Sequence, residues 1–129
     1  MEIVRRAIEA WNGEDVDAMV ELSHPEVEYV NAPQALEPGT RRGRDSLAAV
    51  LREQWRTLPG ARLEVDRIHD RGDLIYTEGR LSRSIPGSDA RVENAILISW
   101  TVLDGRISRL HILGGGSTFD SAREAAGLE

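Results

Sequence analysis

Tyr29 and Asn31 stand two residues apart in the segment 26–31, where Val27, Tyr29 and Asn31 alternate with Glu26, Glu28 and Val30. A strand of that period puts the phenol and the amide on one face. There each can donate a hydrogen bond to a ligand or water oxygen. Two further strand-like stretches carry a single polar point each. One alternates Ile75, Thr77, Gly79 and Leu81, and the other Val92, Asn94, Ile96, Ile98 and Trp100. A few hydrogen-bonding groups in an apolar wall suit a hydrophobic small molecule. The expected ligand-binding wall is Tyr29, Asn31, Trp55, Leu58, Thr77, Leu81, Asn94, Ile96, Ile98, Leu110 and Ile112. The alternative is a filled interior in which Tyr29 and Asn31 satisfy each other or a buried water.

Proton transfer needs a group that titrates near neutrality, and His111 is the candidate catalytic residue. Strict alternation puts Ile107, Arg109, His111 and Leu113 on one face, opposite Ser108, Leu110 and Ile112. Either face can be the inner one, and a bulge would mix them. His24, beside Pro25, and His69, just before a turn, are expected to be solvated. Tyr76, Glu78 and Arg80 are placed on the outer face, with Glu78 and Arg80 in reach of Arg67, Glu93 or Arg109 across strands. No HxH or HxxxH spacing occurs and the carboxylates are scattered, so neither a metal nor another cofactor is expected. Gly114-Gly115-Gly116 lacks the following lysine of a phosphate loop and reads as an exit from the sheet.

At 129 residues the chain is expected to form one domain, 1–129. A net charge of −6 argues against a nucleic-acid partner, and Arg41-Arg42-Gly43-Arg44 is too short and aromatic-free to overturn that. No apolar run approaches the roughly 20 residues of a membrane span. With no cysteine and no leader-like start, a cytoplasmic location is expected.

Helical spacing of Ile3, Val4, Ala7, Ile8 and Trp11 predicts an opening helix. Asp15 is the expected N-cap of a short second helix, stopped by Pro25. After a loop at 34–42, Asp45 is expected to cap a third helix with the stripe Leu47, Val50, Leu51, Trp55 and Leu58. Trp55 and Leu58 would sit near the closed end of a concavity. A strand with Leu63, Val65 and Ile68 precedes a three-stranded meander whose turns are 86–89 and Asp104-Gly105, the latter a type I′ signal. Ser121 and Glu124 are the expected capping box of a final short helix closed by Gly127. The order α-α-β-α-β-β-β-β with a helical tail defines an α+β domain, a curved and mostly antiparallel sheet wrapped around a long helix.

This order resembles the SnoaL-like or NTF2-like superfamily. The segments carrying the likeness are the helix 4–11, Asn12-Gly13-Glu14-Asp15, residues 25–33, Gly43-Arg44-Asp45 and Asp104-Gly105-Arg106-Ile107. Tyr29-Val30-Asn31-Ala32-Pro33 and Ile75-Tyr76-Thr77-Glu78 are also similar to limonene-epoxide hydrolases, in which a tyrosine and an asparagine hold the attacking water. The positions that would carry the arginine, acid and base of that family are Gly79, Leu81 and Ile112, which cannot transfer protons. In steroid-isomerase-like members the base position corresponds to Asn31 or Ala32, and an oxyanion donor falls near Asn94. The acid of SnoaL-type cyclases falls near His111.

The resemblance implies a small-molecule-binding protein with a largely apolar pocket, of isomerase, cyclase or lyase type if it is catalytic. Epoxide hydrolysis and a non-catalytic dimerisation module are the alternatives, and whether the chain is an enzyme stays open. The expected partners are a small hydrophobic ligand and a second copy of the chain, with no membrane and no nucleic acid.

Overall fold

The computed structural model describes residues 2–31, 39–85 and 87–128. Helix α1 (Glu2–Asn12) buries Val4, Ala7, Ala10 and Trp11, the single stripe that its i, i+3, i+4 spacing dictates. Asp15 caps α2 (Val16–Glu21) by accepting from Ala18 N at 3.1 Å. Strand β1 (Ser23–Asn31) starts ahead of Pro25 and β2 (Gly39–Arg42) pairs antiparallel with it. Residues 39–42 are therefore an edge strand, which the loop expected at 34–42 had hidden, while 34–38 lie outside the described residues. Helix α3 (Arg44–Thr57) begins one residue ahead of Asp45, with Gly43 at its N-cap and no side-chain cap. Its start is anchored instead by Arg44, whose Nε and Nη2 both donate to Ser23 O.

Strands β3 (Arg62–Arg71), β4 (Leu74–Ser84), β5 (Arg91–Leu103) and β6 (Arg106–Gly115) complete a curved sheet in the order β2-β1-β6-β5-β4-β3. All neighbouring strands are antiparallel except β1 and β6. Asp104 and Gly105 both take positive φ, 53° and 74°, as a type I′ turn requires. In the expected 86–89 turn, Ser88 N donates to Ile85 O at 3.1 Å, and Pro86 lies outside the described residues.

Helices α1, α2 and α3 pack against the concave face, and the core lies between them. Val4, Met19, Leu47, Leu51, Ile75, Trp100 and Ile107 are almost wholly buried there. Inside that core Trp100 Nε1 donates to Thr77 Oγ1 at 2.9 Å. No helix among the described residues is long and apolar enough to cross a membrane.

Register shifts decide which side chains reach the concavity. Between β5 and β6 the pairs Leu97↔Gly114 and Ile98↔Ile112 leave Leu113 extra, and Thr101↔Arg109 and Val102↔Ile107 leave Ser108 extra. Each extra residue inverts the alternation of β6. Ile107, Leu110 and Ile112 consequently all face inward, a set that strict alternation had split between two faces.

The opposite face is partly covered by helix α4 (Phe119–Ala125), which packs on β5 and β6. A Cβ on Gly114 would sit 2.7 Å from Ala122 Cβ, so that glycine is where the helix rests on the sheet. Gly114 and Gly115 belong to β6, and the chain leaves the sheet only at Gly116. The N-cap of α4 is Thr118; Ser121 is already within the helix, its hydroxyl donating to Thr118 O, so the expected capping box does not form. At the other end Gly127 N donates to Glu124 O and Leu128 N to Arg123 O, with Gly127 at φ 73°. That is the left-handed helix stop expected of Gly127.

Candidate functional site

A cavity of about 410 Å³ opens between α3 and the concave face of the sheet. Its closed end is formed by buried Trp11, Tyr29, Leu51, Ile98, Trp100 and Leu110. Half-buried Asn31, Arg41, Leu58, Leu81, Ile96 and Ile112 stand toward the rim with exposed Glu53 and Thr57. The apolar side chains come from the strands at the sheet's centre and from the α3 stripe. The polar ones come from β1, β2 and the later turns of α3, so the wall has a greasy side and a hydrogen-bonding side.

Tyr29 is the deepest polar group, and its ring is 3% exposed. Gln54 Nε2 donates to its hydroxyl oxygen, which leaves the phenolic O–H free to donate elsewhere. Burial pushes the phenol above its ordinary pKa of 10.0, and the Gln54 hydrogen bond and the Arg41 charge only partly offset this. Tyr29 is therefore a neutral hydrogen-bond donor at pH 7. The single carboxylate among the described wall residues, Glu53, is held by Arg56 at the exposed rim.

Of the expected wall, Tyr29, Asn31, Leu58, Leu81, Ile96, Ile98, Leu110 and Ile112 do line the cavity. Three do not. Trp55 lies off the wall with its ring 6.3 Å from that of Trp11, centroid to centroid. Thr77 is buried and its hydroxyl is engaged by Trp100. Asn94 is on the inward face, opposite Leu81, but so near the end of β5 that it is exposed beyond the rim. Leu58 stands at the rim rather than at the closed end.

His111 does not reach the cavity. It pairs in register with Ser99 and Val30 and sits beside Arg109 on the outer face, while its neighbours Leu110 and Ile112 point inward. Burial and then Arg109 lower its pKa from 6.5, so the ring is neutral at pH 7. The catalytic role expected of His111 is corrected by this placement. His69 is likewise not solvated: its Nε2 meets Glu78 Oε2. His24 is part of β1, where its Nδ1 accepts from Glu26 N at 3.1 Å. Among the described residues no group of three or more His, Asp or Glu side chains is placed to hold a metal ion.

Arg41 and Gln54 are polar side chains of the cavity wall that sequence reasoning missed. Gln54 carried a signal, since it falls on the third helix's apolar stripe with Val50, Leu51 and Leu58. Arg41 had none until β2 was known to be a strand.

A family model described as a SnoaL-like domain matches residues 4–110. The chain belongs to this family. Among solved structures, this SnoaL-like chain is similar to IdmH from Streptomyces antibioticus, provisionally a polyketide cyclase, with TM-score 0.78, 22% identity and 96% of each chain covered. It is also similar to TerC co-crystallised with polyporic acid, with TM-score 0.78, 21% identity, and 95% of this chain and 96% of that one covered. A third is a hypothetical protein of ketosteroid isomerase-like fold from Catenulispora acidiphila in complex with trimethylamine, with TM-score 0.76, 18% identity, and coverage of 99% and 94%. These likenesses concern the fold. No curated protein sequence matches the chain.

Proposed function

We propose that this SnoaL-like protein binds a compact cyclic, largely hydrophobic small molecule, with the Tyr29 hydroxyl donating a hydrogen bond to a ligand oxygen. The observation that carries the reading is the buried phenol itself: its oxygen accepts from Gln54 and the residue lines a cavity of about 410 Å³. That volume lies in the roughly 300–1,000 Å³ range of small-molecule sites. Structural neighbours described with polyporic acid or as a polyketide cyclase support a cyclic ligand. If the ligand is turned over, the chemistry is of isomerase, cyclase or lyase type. A neutral donor can steady negative charge developing on a carbonyl oxygen. Among the described residues, the three positions that the epoxide-opening arginine, acid and base would occupy carry none of them: Leu81 and Ile112 line the cavity and Gly79 has no side chain.

Thermal unfolding with α-tetralone tests the reading. A binder gains RT ln(1 + [L]/Kd) of stability and a filled core gains none. A saturable rise in Tm is expected, weakened about tenfold in affinity in Tyr29→Phe and unchanged in His111→Ala. No rise for any cyclic ketone of this size would leave the non-catalytic module as the better reading.

Self-association into a homodimer is proposed through the part of the outer sheet face that α4 leaves open. There Leu103 is 50% exposed, next to a strand bearing Arg109 and His111. Sedimentation velocity is expected to give a dimer mass, and a concentration-independent monomer would dispose of this.

A further inference from the structure

We infer that the ligand carries a hydroxyl beside its carbonyl and that the Tyr29–Gln54 pair reads both. The phenol donates to the carbonyl, and the carboxamide oxygen of Gln54 accepts from the hydroxyl. The inference rests on the pocket reading above and adds a second oxygen to the ligand. Both side chains line the cavity, Tyr29 from β1 and Gln54 from α3, and they meet where Gln54 Nε2 donates to the Tyr29 hydroxyl oxygen.

A phenol has one proton to give and a carboxamide oxygen two lone pairs to offer. The bond between Tyr29 and Gln54 consumes neither. Among the described residues nothing donates to Gln54 Oε1 and nothing accepts the Tyr29 proton. The one buried side-chain nitrogen or oxygen without a partner among them is Trp55 Nε1, so Gln54 Oε1 is not sealed in the core and keeps contact with solvent. The pair thus brings one unspent donor and one unspent acceptor to the same stretch of wall. Turning the carboxamide end for end only exchanges the roles. Oε1 would then take the phenol proton, Nε2 would donate and the phenol oxygen would accept, so one donor and one acceptor remain.

A simple ketone satisfies the donor alone. Seating it strips water from Gln54 Oε1 and leaves an acceptor dry and unpaired, which costs binding free energy. A ligand hydroxyl removes that cost. An oxygen held on either N–H of a carboxamide lies roughly 4–5 Å from the amide's own oxygen. The two ligand oxygens must be comparably spaced on one edge, too far apart to bond each other. A ring ketone with a hydroxyl meta to the acyl carbon has that layout. Neither member of the pair is charged at pH 7, so selection rests on matching a donor to an acceptor and an acceptor to a donor.

Three ketones titrated by calorimetry at pH 7 test this. They are α-tetralone, 7-hydroxy-α-tetralone, whose hydroxyl lies on the edge that the carbonyl oxygen faces, and 5-hydroxy-α-tetralone, whose hydroxyl lies on the opposite edge. Wild-type protein is expected to bind the 7-hydroxy probe about tenfold tighter than either of the others, the size of one hydrogen bond that spares a buried acceptor. The gain should not change with salt, because neither protein group is charged. It should vanish as the pH is raised and the probe's phenol loses the proton it donates. In Gln54→Met, similar in length but without the oxygen, the ratio of the 7-hydroxy probe to α-tetralone should fall to about one. Gln54→Glu should keep the preference while weakening α-tetralone, since a carboxylate accepts from the ligand hydroxyl and also draws the Tyr29 proton. Spectra of each variant confirm that the fold is kept. Equal wild-type affinities for α-tetralone and the 7-hydroxy probe would overturn the hydroxyl site and leave the apolar pocket standing. A gain shared by the 5-hydroxy probe, or one that survives in Gln54→Met, would overturn the site in the same way. Failure of all three ketones to bind would overturn the pocket reading as well.

Discussion

Gly79→Ala is expected to destabilise the protein by about 3 kcal/mol or more, a large effect for one added methyl group. An added Cβ would lie 2.1 Å from Glu64 O, 3.0 Å from Glu64 C and 3.1 Å from Val65 Cα. All three are backbone atoms and cannot rotate away. The crowding arises from a bulge in β3: Val65 pairs with Gly79 and Arg67 with Glu78, so Asp66 is the extra residue and the strand bends against β4. Urea unfolding measures the loss. Gly13→Ala, whose Cβ would meet Glu9 O at an ordinary 3.4 Å, serves as a mild control. A Gly79→Ala midpoint equal to wild type would mean that the bulge yields at no cost. The same wall bears on chemistry. Gly79 is where the resemblance to epoxide hydrolases calls for an arginine, and no side chain fits there unless β3 moves.

Glu78→Gln is expected to cost about 2 kcal/mol at pH 7 and to loosen α4. Glu78 lies beneath α4 on the outer face, where its Oε1 accepts from Arg123 Nε at 2.6 Å and its Oε2 meets His69 Nε2. Removing one partner of a buried ion pair costs about 3–5 kcal/mol. The lower figure allows for partner side chains that are 23% and 22% exposed. Burial alone would raise the Glu78 carboxyl, but the hydrogen bonds and charges of His69 and Arg123 outweigh it and hold it below its ordinary 4.5. A carboxylate depressed on folding contributes stability above its unfolded pKa, and that contribution is lost as pH falls through the lower folded value. The gap between wild type and Glu78→Gln should therefore be full at pH 7 and close below about pH 4.5. Faster amide exchange confined to α4 would locate the effect. A gap that stays constant with pH would show that the charge on Glu78 is not what holds the helix.

Both predictions concern positions whose face and strand the residue pattern shows and whose burden it does not. The alternation of Ile75, Thr77, Gly79 and Leu81 assigns an inward face to β4, and the β4–β5 register upholds it from Leu74↔Thr101 to Ser84↔Arg91. Nothing in that alternation shows that Gly79 abuts the backbone of β3. Nor does it show that Glu78, expected on the outer face, is buried by a helix 45 positions away. The expectation that Arg80 reaches Glu93 holds at 3.5 Å, yet Glu64 and Asp66 share it.

Residue types and local spacing by themselves determined the α+β class, the apolar stripes of α1 and α3, the Asp15 cap, the Asp104-Gly105 turn and the placing of Tyr29 and Asn31 on one strand. Each of these depends on contacts within a few residues, so each leaves a mark in the periodicity. Tertiary structure alone decided which face of β6 is the inner one: the bulge at Ser108 puts Ile107 on the side of Leu110 and Ile112 and leaves His111 outside, where strict alternation had grouped Ile107 with His111. It alone set Arg41 across from Tyr29, through pairing between strands separated by a loop. Bulges and non-local pairings are settled by how strands fit one another, and that fit is made only when the chain has folded.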